Sequence, residues 1–210
     1  MKTNEKAIAE KLLQSGAVKL SPAQPFTWAS GWKSPIYCDN RKLLSFPYVR
    51  DFVKSEMCNV IFEEFGDAAM LAGVATAGIA WGALGADQLK LPYIYVRPKP
   101  KEHGLGNQIE GFYEAGQQVV VIEDLISTGK SSLQVVEVLR KAGLEVVGMI
   151  SIFNYGFDAA VDAFAQAGVP FISLTNYAQL VQIGLEKGII SAEQESLLLD
   201  WRKNPAEWGR

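Results

Sequence analysis

The residues with the clearest chemical potential form one continuous run, Val119-Val120-Val121-Ile122-Glu123-Asp124-Leu125-Ile126-Ser127-Thr128-Gly129-Lys130-Ser131-Ser132. Apolar β-formers lead into two adjacent acids, a hydroxyl-rich turn reaches a glycine, and a helix follows. Ligands of open α/β sheets bind at such carboxyl ends of strands. Turn N–H groups, the hydroxyls of Ser127, Thr128 and Ser131, and the helix N-terminus can together hold a phosphate dianion. The acids have a different use. They would repel phosphate, but they can accept hydrogen bonds from the vicinal hydroxyls of a sugar and favour positive charge developing on a ribose carbon. Gly129-Lys130-Ser131 also copies the end of a Walker A loop, yet the glycine required five positions earlier is Asp124, whose charge opposes a nucleotide triphosphate. Each residue alone has a structural reading, as a polar strand end or a helix cap; the complete arrangement points to a ligand.

A second chemical run is Arg97-Pro98-Lys99-Pro100-Lys101-Glu102-His103-Gly104-Leu105-Gly106, followed by Asn107 to Gly111. Four cationic or potentially cationic residues fall within seven positions, with prolines between them and no hydrophobic period to support a helix. The run reads as an exposed loop. Gly104, Gly106 and Gly111 would let it close over an anionic substrate and exclude water. A solvated basic turn is the bland alternative. His103, the one histidine in the chain, gains interest from its place beside Lys101.

Composition limits the remaining possibilities. The chain has 210 residues, 49% hydrophobic and 20% charged, which is the range of a globular protein with one sizeable core. A net charge of -3 offers no general attraction for nucleic acid or an anionic membrane, so any anion site must be local. The two cysteines, Cys38 and Cys58, stand outside any zinc-like pattern and read as reduced thiols of a cytoplasmic protein. The N-terminal stretch lacks the apolar region of a signal peptide. Residues 68–86 carry no charge, but eight of these 19 are Ala and four are Gly, which favours a buried strand, tight turn and helix over a membrane span.

The elements that must position these groups are set by periodicity. The spacing predicts a helix from about Asn4 to Gln14, stopped by Gly16, then a Pro- and aromatic-rich segment, Ser21 to Asn40, that packs as a hood or edge hairpin. Ser45 and Pro47 start a second helix, through Phe65. Strands are expected at Ala69 to Val74, Tyr93 to Val96, Gln118 to Glu123, Val146 to Phe153 and Phe171 to Leu174. Crossover helices fit at Ile79 to Leu89, Lys130 to Ala142 and Ala159 to Ala167. Two more helices are expected, Tyr177 to Lys187 and Ser191 to Trp201, the latter opened by a Ser191/Gln194 capping-box spacing. The expected fold class is α/β: a doubly wound, mainly parallel sheet flanked by helices. It forms a single domain over 1–210, with 1–45 as an N-terminal helix and hood.

The acid-pair run resembles the phosphoribosyl-pyrophosphate signature of the type I phosphoribosyltransferases. The basic run, Phe26-Thr27-Trp28-Ala29-Ser30-Gly31, Ser34-Pro35-Ile36-Tyr37 and Gly73-Val74-Ala75-Thr76-Ala77-Gly78-Ile79 extend the resemblance to the orotate branch over nearly the whole chain. That resemblance implies both a reaction and a role for each group. The reaction would be transfer of the 5-phosphoribosyl group from phosphoribosyl pyrophosphate (PRPP) to orotate, giving orotidine 5-monophosphate and pyrophosphate in pyrimidine-nucleotide synthesis. Glu123 and Asp124 would hold the ribose, and Leu125, Ile126, Ser127, Thr128, Gly129, Lys130 and Ser131 the 5-phosphate, with Ser127 also touching orotate. Arg97, Lys101 and His103 would grip pyrophosphate; Lys101, His103 and Asp124 would be the catalytic groups. Mg²⁺ would bridge diphosphate and ribose hydroxyls with few or no protein ligands. The basic loop would serve the neighbouring site of a homodimer. Some members carry basic residues at the positions of Ala29, Ala77, Pro98 and Asn154. Those matching Ala29 and Asn154 lie near the orotate carboxylate, so Arg41, beside the hood, is the candidate here. A transferase for another base is the nearest rival. A regulatory PRPP sensor is the second, disfavoured because 1–66 has no concentrated basic face.

Overall fold

Local sequence signals build the N-terminal third in short pieces. The computed structural model describes residues 4–28, 31–99 and 107–208. Helix α1 (Glu5–Gln14) buries Ile8, Ala9 and Leu12 on one stripe and ends before Gly16, whose φ of +66° is the left-handed geometry its sequence position called for. Four short strands come next: β1 (Val18–Leu20), β2 (Phe26–Thr27), β3 (Lys33–Ser34) and β4 (Ile36–Cys38). They pair antiparallel as β1 with β4 and β2 with β3, which is the expected hairpin arrangement. A 3₁₀ helix, Asn40–Ser45, then leads into α2 (Pro47–Glu64). The expected start at Ser45 is thus corrected: Ser45 closes the 3₁₀ turn, Phe46 is the N-cap, and Pro47 supplies the first helical φ.

The rest is a six-stranded sheet with helices on both faces. Its elements are β5 (Met70–Val74), α3 (Ala77–Leu89), β6 (Tyr93–Val96), β7 (Ile109–Glu110), β8 (Gln118–Ile126), α4 (Lys130–Lys141), β9 (Glu145–Asn154), α5 (Asp158–Ala167), β10 (Phe171–Asn176), α6 (Tyr177–Glu186) and α7 (Ala192–Lys203). The order is β10-β9-β8-β5-β6-β7, parallel except for β7. That edge strand lies inside the stretch expected to be loop throughout. Two residues cannot display a period, but Ile109 is buried and pairs with Val96. Strand β8 also runs three residues past its expected end, so the acid pair sits within the strand.

Alternation along β8 divides the core. Val120 and Ile122 join the cluster that includes Ile8, Met57 and Trp201, while Val119 and Val121 join Val135, Leu139 and Phe164 across the sheet. Helix α4 is held there by burying Ser132, Val135, Val136 and Leu139 at helical spacing. The Ala- and Gly-rich stretch is strand β5 and helix α3, as its composition implied. It is small-residued because α3 lies close against the sheet: a Cβ on Gly78 would stand 2.4 Å from the carbonyl oxygen of Ile122. Among the described residues no helix is long and apolar enough to cross a membrane.

The N-terminal hairpins are tied down by the last helix. Trp201 of α7 is fully buried, its indole N–H donates to the Lys33 carbonyl at 3.1 Å, and its ring lies 5.6 Å from that of Trp28. Tyr155, just past β9, completes the cluster at 5.0 Å from Trp28 and 5.8 Å from Trp201. Helix α7 starts with the anticipated capping box, Ser191 and Gln194 exchanging hydrogen bonds.

Candidate active site

The turn after β8 is three residues long. Ser127 and Thr128 are half-buried, and Gly129 adopts φ +78° as the N-cap of α4. Glycine is required there twice over: the backbone is left-handed, and a Cβ would meet the Phe164 ring at 2.8 Å. No side chain caps α4, so its first-turn N–H groups face the turn without a side-chain acceptor. Ser131 and Lys130 are exposed in that first turn, and Ser132 is buried. The run read as an anion cradle is therefore a short loop ending on an uncapped helix N-terminus.

The two acids behave as a coupled pair. Glu123 is buried; its Oε1 accepts from the backbone N–H of Asp124 at 3.0 Å and its Oε2 from the Ser132 hydroxyl at 3.1 Å. Burial, and then the charge of Asp124, push the Glu123 carboxyl well above the carboxylate range. Burial raises Asp124 as well, but its hydrogen bond with Glu123 and the nearby Arg41 guanidinium hold it down. Burial thus raises both carboxyls, Glu123 being the more deeply buried and Asp124, half-buried, the one that faces the Arg41 charge.

Sequence reasoning missed a residue that holds this strand end. Asn40 is fully buried in the 3₁₀ helix, and its Nδ2 donates to the Asp124 carbonyl at 2.7 Å while the Cys38 thiol donates to its Oδ1 at 3.3 Å. Nothing local signals a contact across 84 positions of chain. Arg41, next along, is bound by Asp39 at 2.7 Å with more than half of its side chain exposed.

Between β8 and the hairpins lies a cavity of about 290 Å³, at the small end of ligand sites. Trp28, Tyr37, Cys38, Leu125, Ser127 and Tyr155 line it. Aromatic faces with hydroxyl-bearing residues such as Ser127 among them suit a small planar heterocycle. Tyr155 is the second residue the sequence did not single out. Beside its near neighbours Phe153 and Phe157, its aromatic partners Trp28, Tyr177 and Trp201 come from three distant segments, so only the fold assembles them.

Arg97 comes directly after β6, two strands from β8 and hence about 10 Å across the sheet. It faces the same carboxyl edge, with an ion pair to Glu110 at 3.4 Å. Its backbone N–H donates to Gln108 at 2.9 Å, so both ends of the basic loop are fixed. Lys101 and His103 lie outside the described residues. Among the described residues, no group of three or more His, Cys, Asp or Glu side chains could hold a metal ion. Glu123 and Asp124 are the acids at this strand end, and two carboxyls suit only a cation carried mainly by a ligand's own oxygens.

A family profile described as "Phosphoribosyl transferase domain" matches residues 56–185, from within α2 to within α6. The orotate phosphoribosyltransferase of Phocaeicola vulgatus is 55% identical over 208 residues, covering 99% of this chain and 98% of the relative. The chain belongs to the orotate phosphoribosyltransferase family. The corresponding protein of Porphyromonas gingivalis is 54% identical over the full length of both chains. The crystal structure of orotate phosphoribosyltransferase from Aeropyrum pernix superposes with a TM-score of 0.76 at 30% identity, covering 88% of this chain and 99% of that one. The general domain match begins after the hairpins and ends before α7. The hood-side segments that wall the smaller cavity therefore fall within the span matched by the orotate relatives and outside the general match.

Proposed function

We propose that this chain transfers the 5-phosphoribosyl group of PRPP to N1 of orotate, releasing pyrophosphate and forming orotidine 5-monophosphate. The observation that carries the reading is the full-length likeness to orotate phosphoribosyltransferases, including the hairpins beside the cavity. The C1–oxygen bond to pyrophosphate breaks with its electron pair leaving on the diphosphate. N1 bonds to C1 and its proton is released.

Each group takes one task in this reading. The turn from Leu125 to Ser131 takes the 5-phosphate on its hydroxyls and the uncapped α4 N-terminus. Asp124 accepts a ribose hydroxyl and favours positive charge at C1; Glu123 reaches the sugar by exchanging its bond to Ser132. Orotate occupies the 290 Å³ cavity with Ser127 at its edge. Arg97, Lys101 and His103 neutralise the departing pyrophosphate. To do so, Arg97 exchanges Glu110 for the diphosphate. Mg²⁺ would supply charge neutralisation to the departing diphosphate, held mainly by the substrate's own oxygens, with Asp124 the acid of this chain that would assist in holding it. The basic loop serves the neighbouring site of a homodimer.

The test is a base-substitution assay with orotate, uracil, hypoxanthine and adenine, each with PRPP and Mg²⁺. Orotate-dependent pyrophosphate release is expected, abolished by chelation. Equal or faster turnover of a purine would overturn the assignment, and PRPP binding without turnover of any base would favour a sensor.

A further inference from the structure

Two cavities flank the turn after β8. Among the described residues, the smaller has no cationic side chain in its lining, although the base proposed for it carries a carboxylate. The larger, about 530 Å³, is lined in part by Trp32, Thr128, Gly156, Phe157 and Arg202. Among the described residues none lines both, but neighbouring residues divide between the two linings at three seams. Ser127 lines one and Thr128 the other; Tyr155 lines one and Gly156 the other; and Trp28 and Trp32, one from each, stack with ring centroids 6.3 Å apart.

Arg202 stands beside the Tyr155–Gly156 seam. It lies in the last turn of α7, half-buried, and makes no hydrogen bond or ion pair among the described residues. A Cβ on Gly156 would sit 3.8 Å from both Cζ and Nε of Arg202 and 3.7 Å from Oδ1 of Asn154, so the guanidinium borders the glycine backbone itself. The other nearby cations are engaged. Lys203 pairs with Asp200 at 2.9 Å, and Arg41 pairs with Asp39 and faces Asp124, on the ribose side. Asp158, the acid in the larger cavity's lining, is exposed and makes no ion pair with Arg202. A guanidinium partly withdrawn from water with no counter-ion lacks a partner for its planar donor fork, and that fork matches a carboxylate in two parallel hydrogen bonds.

We propose that Arg202 is a specificity-determining residue that donates to the exocyclic carboxylate of the base, directed across the Tyr155–Gly156 seam from the smaller cavity. The inference rests on the proposed reaction and deepens it: this contact separates orotate from uracil, the same ring without the carboxylate. Arg202 takes no part in bond making.

The experiment measures kcat and KM for orotate, KM for PRPP, and uracil turnover in the wild type, Arg202→Lys, Arg202→Ala and Arg41→Ala, with thermal melting of each. Losing a charge-assisted hydrogen bond is expected to raise the orotate KM of Arg202→Ala about 10- to 100-fold, with the PRPP KM nearly unchanged and the preference for orotate over uracil reduced by a similar factor. Arg202→Lys, which keeps the stem and the charge, should fall between, and added guanidinium ion should partly restore Arg202→Ala. An unchanged orotate KM in Arg202→Ala overturns the proposal, as does a parallel rise of both KM values with a lowered melting temperature, or selective loss of orotate affinity in Arg41→Ala alone. A wild type without orotate-dependent pyrophosphate release overturns the reaction itself, a result distinct from an active wild type indifferent to Arg202.

Discussion

The phosphate end and the base end of the site are built in opposite ways. The phosphate end is one contiguous run, β8 through the first turn of α4, with contacts inside the run, Ser132 on Glu123 and Leu133 on Gly129, and one distant tie, Asn40 on the Asp124 carbonyl. The base end draws Trp28, Tyr37, Leu125 and Tyr155 from separate segments, and its hood-side wall is anchored through Trp201, 168 residues from the carbonyl it binds. Local sequence can specify the first almost alone. The second exists only when the whole chain has folded, so changes remote from the substrate should reach the base before the phosphoribosyl group.

The largest effect that could break this contrast is removal of the anchor. Trp201→Ala deletes a fully buried indole in contact with Trp28, Tyr155, Phe157 and Tyr177, and such truncations cost about 3–5 kcal/mol. Denaturant unfolding should register that loss. Trp201→Phe keeps most of the ring packing but drops the bond to Lys33, so it should raise the orotate KM while sparing that for PRPP. Equal change in both would mean the two ends are not separable.

Next in size is the basic loop. A positioned cation in a water-poor site is commonly worth about 10² to 10³ in rate, so Lys101→Ala should lose that much turnover. If the run is the exposed loop its sequence implies, the melting temperature should stay nearly constant, since substitutions there usually shift stability by about 0.5 kcal/mol or less. If the loop serves the partner's site, mixing inactive Lys101→Ala with inactive Asp124→Asn should restore activity in heterodimers carrying one intact site. Verified heterodimers without activity would place the loop over its own subunit.

Legibility in the sequence divides along the same line. The strand, acid pair and Gly129 could be read because their signals are contiguous, as could the Ser191/Gln194 cap and the Gly16 stop. The two-residue strand β7 could not, because its pairing with Val96 belongs to β6 and not to its own pattern. Ser45 misled because Pro47 fixes a helix start without saying which residue caps it. Asn40 was silent for a deeper reason: an asparagine in a polar turn looks the same whether its amide meets water or the carbonyl of Asp124. Arg202 resembled any surface arginine near a chain end until the fold set it against Gly156.

The smallest prediction asks whether the acid pair itself divides between structure and ligand. Glu123 is held above the ordinary carboxyl value of 4.5, first by burial and then by Asp124. Between that value and its raised one, the folded chain binds more proton than the unfolded chain. Stability associated with Glu123 is therefore complete below pH 4.5 and declines as pH rises through the folded value. For one proton the slope is at most about 1.4 kcal/mol per pH unit. Glu123→Gln mimics the protonated carboxyl and should flatten that part of a denaturant-derived stability profile. Because Glu123 is buried on Ser132 while Asp124 is the less buried acid, Glu123→Gln should also retain more PRPP affinity than Asp124→Asn. An unaltered pH profile, or equal loss of PRPP binding in both variants, would show that the pair acts as one unit at the ribose and that the proton is not housed on Glu123.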